Sequence, residues 1–290
     1  MRALLAALAG CAAAPDALVR PAAGGWTLVV LGIAQDGGMP HLGCTRSPCR
    51  DAREGRRREE KVAALGLVSK KTGAAYLFDA TPDLPAQVHT LTGGRAPDGI
   101  FLTHAHIGHY TGLMYLGKET MAARGVPVYC TPRMAAFLRG SGPWSLLVAD
   151  GHVVLREMDA DKAVELPGGV RVTALRVPHR DELSDTVGYL IEGPRARALY
   201  IPDIDRWEKW DRDIGRLADE VDMLLLDGTF ASAAELLHRD ITRVPHPLMD
   251  DTRARVRGRR ARLLFIHMNH TNPALLRGKD IAHEGLTLEL

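Results

Sequence analysis

The stretch Leu102-Thr103-His104-Ala105-His106-Ile107-Gly108-His109-Tyr110-Thr111-Gly112-Leu113 decides how the rest of the chain is read. The apolar residues 100–103 read as a short buried strand that ends where the histidines begin. His104 and His106 are two apart, so an extended backbone turns both rings to one side. His109 stands at the mouth of a helix expected to start near Thr111 and reaches the same space. Three imidazoles meeting in one place are poor chemistry without a cation, and imidazole nitrogen is a good ligand for Zn, Fe or Cu. A surface loop rich in histidine would not follow a buried strand. Nor would it need Gly108 and Gly112, which allow the tight turns of a convergent loop.

Further ligands should also come from strand ends. Residues 170–177 lead into Pro178-His179, residues 198–201 into Pro202-Asp203-Ile204-Asp205, and residues 263–266 into His267-Met268-Asn269-His270. Each strand delivers a His or Asp at its C-terminal edge, where loops build sites. Any one of these residues alone would read as a packed or exposed side chain; together with the central cluster, ligation is the simpler account.

Outward from this centre, the chain of 290 residues is 46% hydrophobic and 25% charged, proportions that exclude disorder and fibrous architecture. Lys and Arg number 37 against 35 Asp and Glu, so net charge gives no case for a nucleic-acid partner, and a small-molecule substrate is expected. The charged residues 56–61 and 253–260 read as solvated helix faces. Strands are expected at 26–31, 65–69, 75–78, 100–103, 126–130, 153–157, 164–166, 170–177, 186–191, 198–201, 223–226 and 262–266. Helices are expected at 48–61, 82–91, 134–139, 207–218 and 253–260. Strand groups followed by helices, twice over, suit two sheets packed face to face with helices outside, an α/β architecture.

The N-terminus reads differently. Met1-Arg2, the apolar residues 3–9 and then Gly10-Cys11 have the order of a secretory signal, and Leu8-Ala9-Gly10-Cys11 resembles a bacterial lipobox whose Cys carries a lipid. Residues 1–11 are therefore expected to be signal, 12–25 a tether and 26–290 the folded domain, periplasmic or anchored to the outer membrane. A misread start codon would make it cytoplasmic.

The order His104-x-His106-x-x-His109, preceded by Asp79 and followed by His179, Asp203 and His267, resembles the metallo-β-lactamase superfamily. Two branches are similar. Residues 31–40 with Cys44 and Cys49, the run Leu226-Asp227-Gly228-Thr229-Phe230, and residues 267–273 resemble the branch of pyrroloquinoline quinone (PQQ) synthesis protein B. The Gly-Cys start and the intact histidine motif also resemble the cyclic phosphodiesterase of the carbon–phosphorus lyase pathway. The resemblance implies a four-layer αβ/βα sandwich with metal at one edge of the two sheets. It implies one ion on His104, His106 and His179, and a second on His109 and His267 with Asp203 bridging. Zn is expected as one or two ions, with Fe or Mn as alternatives, and Asp79 is expected to orient the histidine loop.

The chain departs from the pattern at Gly108, where the superfamily usually has an Asp ligand of the second ion. The resemblance leaves that site weak, empty, or repaired by His270 or Asp205. In both branches a Cys-rich loop holds a structural zinc. Here Cys44 and Cys49 would need two more ligands, with His246 and His41 as candidates, or would form a disulfide. The expected activity is metal-dependent hydrolysis of an ester, lactone or phosphodiester, with Asp203 or His270 taking the proton. The alternatives are an iron-dependent oxygenase related to PQQ biosynthesis and a non-catalytic metal- or cofactor-binding lipoprotein.

Overall fold

The computed structural model describes residues 25–236, 240 and 243–290. The signal, the lipobox Cys11 and nearly all of the tether lie outside the described residues. Thirteen strands are described: β1 Trp26–Gly32, β2 Ala64–Ser69, β3 Ala75–Phe78, β4 Gly99–Phe101, β5 Val126–Cys130, β6 Val153–Glu157, β7 Ala163–Leu166, β8 Val170–Val177, β9 Thr186–Glu192, β10 Arg197–Ile201, β11 Met223–Asp227, β12 Arg262–Ile266 and β13 Thr287–Glu289. They form two sheets, ordered β13-β1-β2-β3-β4-β5-β6 and β12-β11-β10-β9-β8-β7. Together with helices outside both, this is the four-layer α/β metallo-β-lactamase fold. Among the described residues, no helix is long and apolar enough to cross a membrane.

The apolar runs are continuous because each central strand is covered on both faces. In β1, Leu28 and Val30 point into the core between the sheets, while Val29 and Leu31 pack under the helices of the first sheet. In β11, Leu225 faces inward, while Leu224 and Leu226 pack with Trp207, Trp210 and Ile214 outside the second sheet. Phe78, Phe101, Tyr189 and Tyr200 meet across the inter-sheet core with ring centroids 5.0–6.4 Å apart. Each fully buried side chain of this size contributes roughly 1.5–3 kcal/mol.

Strand direction places the site. β3, β4, β5 and β6 run parallel, as do β10, β11 and β12; β8 and β10 are both antiparallel to β9 and so share a direction. The C-terminal ends of β3, β4, β8, β10, β11 and β12 therefore gather at one edge, where parallel strands leave room for ligand-bearing loops. The two sheets are tied there by Val187 N–H donating to Thr103 O at 3.1 Å and by the Tyr189 hydroxyl donating to Leu102 O.

Most expected strands are present to within a residue or two, and three helices are shorter. The charged segment 48–61 is helical only over Ser47–Arg53, because Gly55 takes a positive φ and residues 59–63 then run extended beside Ile33, Ala34 and Met39. Residues 207–218 split into a 3-10 turn, Trp207–Lys209, and a helix, Ile214–Glu220, capped by the Asp213 side chain. The basic helix lies earlier, at Met249–Arg255.

Candidate metal centre

The histidine loop is held by one buried carboxylate. Asp79 follows β3 directly, and its φ of 70° lies in the left-handed region that few non-glycine residues adopt. That turn aims Oδ1 at Thr103, whose N–H and hydroxyl both donate to it at 2.9 Å, and Oδ2 at His109 Nδ1, 2.8 Å away. The Tyr200 hydroxyl, from the other sheet, donates to Oδ2 at 3.2 Å. His109 Nδ1 must carry its proton to meet Asp79, so Nε2 faces the opposite way. The loop backbone closes on the same strand end: Ala80 N–H donates to His109 O, and Gly112 N–H to Ala80 O. A Cβ on Gly112 would fall 2.0 Å from Thr81 O, so only glycine fits there.

The imidazoles then converge. His104, His106 and His179 each bring a ligand nitrogen within 4.8 Å of the others, at the ends of β4 and β8. Asp203, after β10, stands between the two histidine groups. Its Oδ2 is 2.9 Å from His109 Nε2, 3.1 Å from His267 Nε2 and 3.7 Å from His104 Nε2, and its Oδ1 is 3.6 Å from His179 Nε2. His267 sits at a φ of 59°, a second strained backbone position of the kind that clusters at functional sites. Its Nδ1 lies 3.1 Å from the Thr229 hydroxyl.

The donor set fits a metal. His109 Nε2, both nitrogens of His179 and His267 Nε2 are buried and lack an aligned hydrogen-bond partner. Buried polar atoms rarely stay unpartnered, because each costs about 1–3 kcal/mol. Here three of the orphaned atoms, Nε2 of His109, His179 and His267, converge on the Asp203 carboxylate, where a cation could take their lone pairs. Burial holds His104 well below its ordinary range and takes His179 to about 4, so both rings are neutral and ready to donate at neutral pH. Burial also opposes a charge on His109, but Asp79 and Asp203 outweigh it and lift that ring well above its usual range.

Other expected residues fall elsewhere. His246 is not with the thiols; it joins Asp203, Asp227 and His267 at the centre, with Nδ1 2.7 Å from Asp227 Oδ2. His270 takes the place expected of His246: its Nδ1 is 3.3 Å from Cys49 Sγ, and Cys44, Cys49 and His270 form a group that could hold an ion. His41 stacks on His270 with ring centroids 4.3 Å apart. Cys44 and Cys49 are free thiols, so the disulfide alternative is not formed. Asp205 is no substitute ligand either, since Lys209 Nζ holds its carboxylate at 2.6 Å. Sequence reasoning missed Asp36 and Asp227, which join groups that could hold an ion; both lie in runs it had singled out, but nothing in their spacing marked them.

An open cleft of ≈ 980 Å³ adjoins the centre, and Arg46, Arg180, Arg243, His246 and Asn269 are among its walls.

Residues 75–268 match the family model described as a Beta-lactamase superfamily domain, and the chain belongs to the metallo-β-lactamase superfamily. Within it, the chain is 27% identical to coenzyme PQQ synthesis protein B of Methylorubrum populi and 29% identical to that of Methylobacillus flagellatus. These matches cover 91% and 90% of this chain and 99% of each relative. Among solved structures it is similar to Zn(2+)-bound PqqB from Methylobacterium extorquens, with TM-score 0.78 and 25% identity over 91% of this chain and all of that one. A diphosphatase of the PhnP family has the same fold, with TM-score 0.68 and 23% identity over 91% of this chain and 97% of that one.

Proposed function

We propose that the chain is a metal-dependent hydrolase acting on an anionic ester, with a phosphodiester favoured over a lactone or neutral ester. The observation that supports it most is the set of orphaned histidine nitrogens around Asp203. A bound Zn would supply hydroxide at neutral pH, by lowering the pKa of its water to about 7, and would stabilise developing negative charge.

The chain's own residues supply the rest. Asp203 reaches both groups of imidazoles. Arg46, Arg180 and Arg243 line the cleft and orient a negatively charged substrate towards the centre. His246 opens on the same cleft, with Asp227 behind its Nδ1. Burial opposes its charge, but Asp227 outweighs burial and raises the ring above its ordinary range. His246 is thus placed to give a proton to the departing oxygen, as a general acid.

A second reading has one support, the full-length likeness to PQQ synthesis protein B: an iron-dependent oxidation rather than hydrolysis. A lipid on Cys11, tethering the domain to a membrane, would argue against a part in cytosolic PQQ synthesis. The test is to purify the full chain, measure its metal, and assay bis-p-nitrophenyl phosphate, esters and lactones with Zn, Mn or Fe. Hydrolysis that falls far more in His246→Asn for poor leaving groups than for p-nitrophenolate is expected. A metal-loaded protein that hydrolyses nothing and consumes oxygen with iron would replace this reading with the second.

A further inference from the structure

The space in front of Gly108 is not empty. A Cβ built on Gly108 would lie 2.4 Å from Asp36 Oδ1 and 2.6 Å from Asp36 Cα. A carboxylate from the loop after β1 already fills the volume that a side chain at 108 would need. Oδ1 of Asp36 is buried and has no hydrogen-bond partner, although the side chain as a whole is partly exposed. It is 3.8 Å from His109 Nε2. Asp36, His109 and His267 each bring a ligand atom within 4.8 Å of the others, and both histidine side chains are fully buried, with Nε2 close to Asp203 but in no aligned hydrogen bond.

The backbone makes this placement firm. Gln35 N–H donates to Met268 O at 2.9 Å, and Met268 N–H donates to Ile33 O at 2.7 Å. Ala34 bridges both Val62 and Met268. The residue before Asp36 and the residue after His267 are therefore paired, so the two side chains keep a fixed relation. Gly37 and Gly38 follow at once, Gly38 at a φ of 69°, and the chain turns away without covering the carboxylate.

We infer that Asp36 is a carboxylate ligand of the second metal, beside His109, His267 and Asp203, and that residue 108 is glycine because any side chain there would displace it. The inference rests on the metal-binding reading above. It gives the second ion two carboxylates, one from each half of the chain, and it makes the loop after β1 part of the centre.

Crystals of the full chain, equilibrated with zinc and measured at the zinc edge, test it by ion position and occupancy rather than activity. The wild type is expected to show ions at both groups of histidines, with Asp36 touching the one at His109 and His267. Asp36→Asn keeps the shape and loses the charge. It should weaken that ion tenfold or more while leaving the ion at His104, His106 and His179 in place, which reports an intact fold. Gly108→Ala, which removes no ligand, should weaken the same ion. An unchanged second ion in either variant, or a wild-type ion there that Asp36 does not touch, overturns the inference while the metal reading stands. No ion at His104, His106 and His179 in the wild type would overturn both.

Discussion

Replacing Asp79 by Asn separates metal binding from folding. Asn retains an acceptor for the Thr103 N–H and hydroxyl, and it tolerates the positive φ that this position requires. Its amide nitrogen would then face His109 Nδ1 and the Tyr200 hydroxyl, where Oδ2 stood. The hydroxyl can rotate to accept. His109 can accept only by moving its proton to Nε2, the nitrogen aimed at Asp203 and the second ion. All buried groups stay partnered, so unfolding free energy should change by about 1 kcal/mol, the lost charge assistance. Affinity at the second site should fall about 10–100-fold, the usual cost of losing a partner that orients a ligand. Asp79→Ala behaves differently. It strands the Thr103 N–H, the His109 ring and the Tyr200 hydroxyl, at about 1–3 kcal/mol each, on a backbone that disfavours Ala by roughly 1–2 kcal/mol. That loss is on the order of a whole domain's stability. The assay is competition with a chromophoric chelator, with thermal unfolding alongside and nitrogen-15 spectra of the ring to read the tautomer. Wild-type affinity in Asp79→Asn, with stability lost, would show that Asp79 merely caps a strand end and would refute the reasoning.

Removing metal with a strong chelator should expose Cys44 and Cys49 to thiol reagents and lower the unfolding temperature; His270→Ala should copy this and His246→Ala should not, as ion counting with thiol titration will show. Burial lifts the Cys130 thiol to about 12, against an unfolded value of about 8.5. Its contribution to stability is therefore complete below about pH 8.5 and is lost as pH rises towards 12. Labelling at pH 8 followed by mass spectrometry should find Cys130 unmodified until denaturant is added. Arg180→Ala and Arg46→Ala should each raise KM for an anionic diester about two- to fivefold, with kcat little changed, and flatten its dependence on salt; a neutral ester should show neither effect.

Much of the centre was legible because its ligands sit at the ends of apolar strands, and such strands are the strongest pattern in the chain. Asp203 and His267 follow runs whose last residues are buried on both faces, and His179 follows the alternating β8, which ends on buried Val177, so the end of the apolar signal marks the edge of a sheet. The helices were less legible where polar residues dominate. In residues 48–61 the charges fit a helix surface, but the positive φ of Gly55 and the pairing of Glu60 with Met39 decide otherwise, and pairing with a distant segment leaves no periodic trace. The short β13 was missed because its largely exposed Thr287–Glu289 has no apolar run, and its place is set by antiparallel pairing with β1, which leaves no trace in its own residues.

Gly108 and Asp36 show the limit most clearly. Read along the chain, Gly108 is a missing ligand, and the natural repairs are carboxylates and imidazoles that follow other ligands, such as Asp205 and His270. Those two are taken, one by Lys209 and the other by Cys49. The residue that does face the gap belongs to the first strand's loop, which reaches the centre only because Ala34 and Gln35 pair with Met268. A glycine in a ligand motif is thus ambiguous from sequence: it can mean that a ligand is absent, or that space has been left for one from elsewhere. The two cases are told apart by what a Cβ would strike. On Gly43 and Gly55 it would strike nothing, and on Gly108 it strikes a carboxylate whose buried Oδ1 has no hydrogen-bond partner. The second case makes a prediction the first cannot, that enlarging residue 108 by one methyl group costs an ion although no donor atom has been removed.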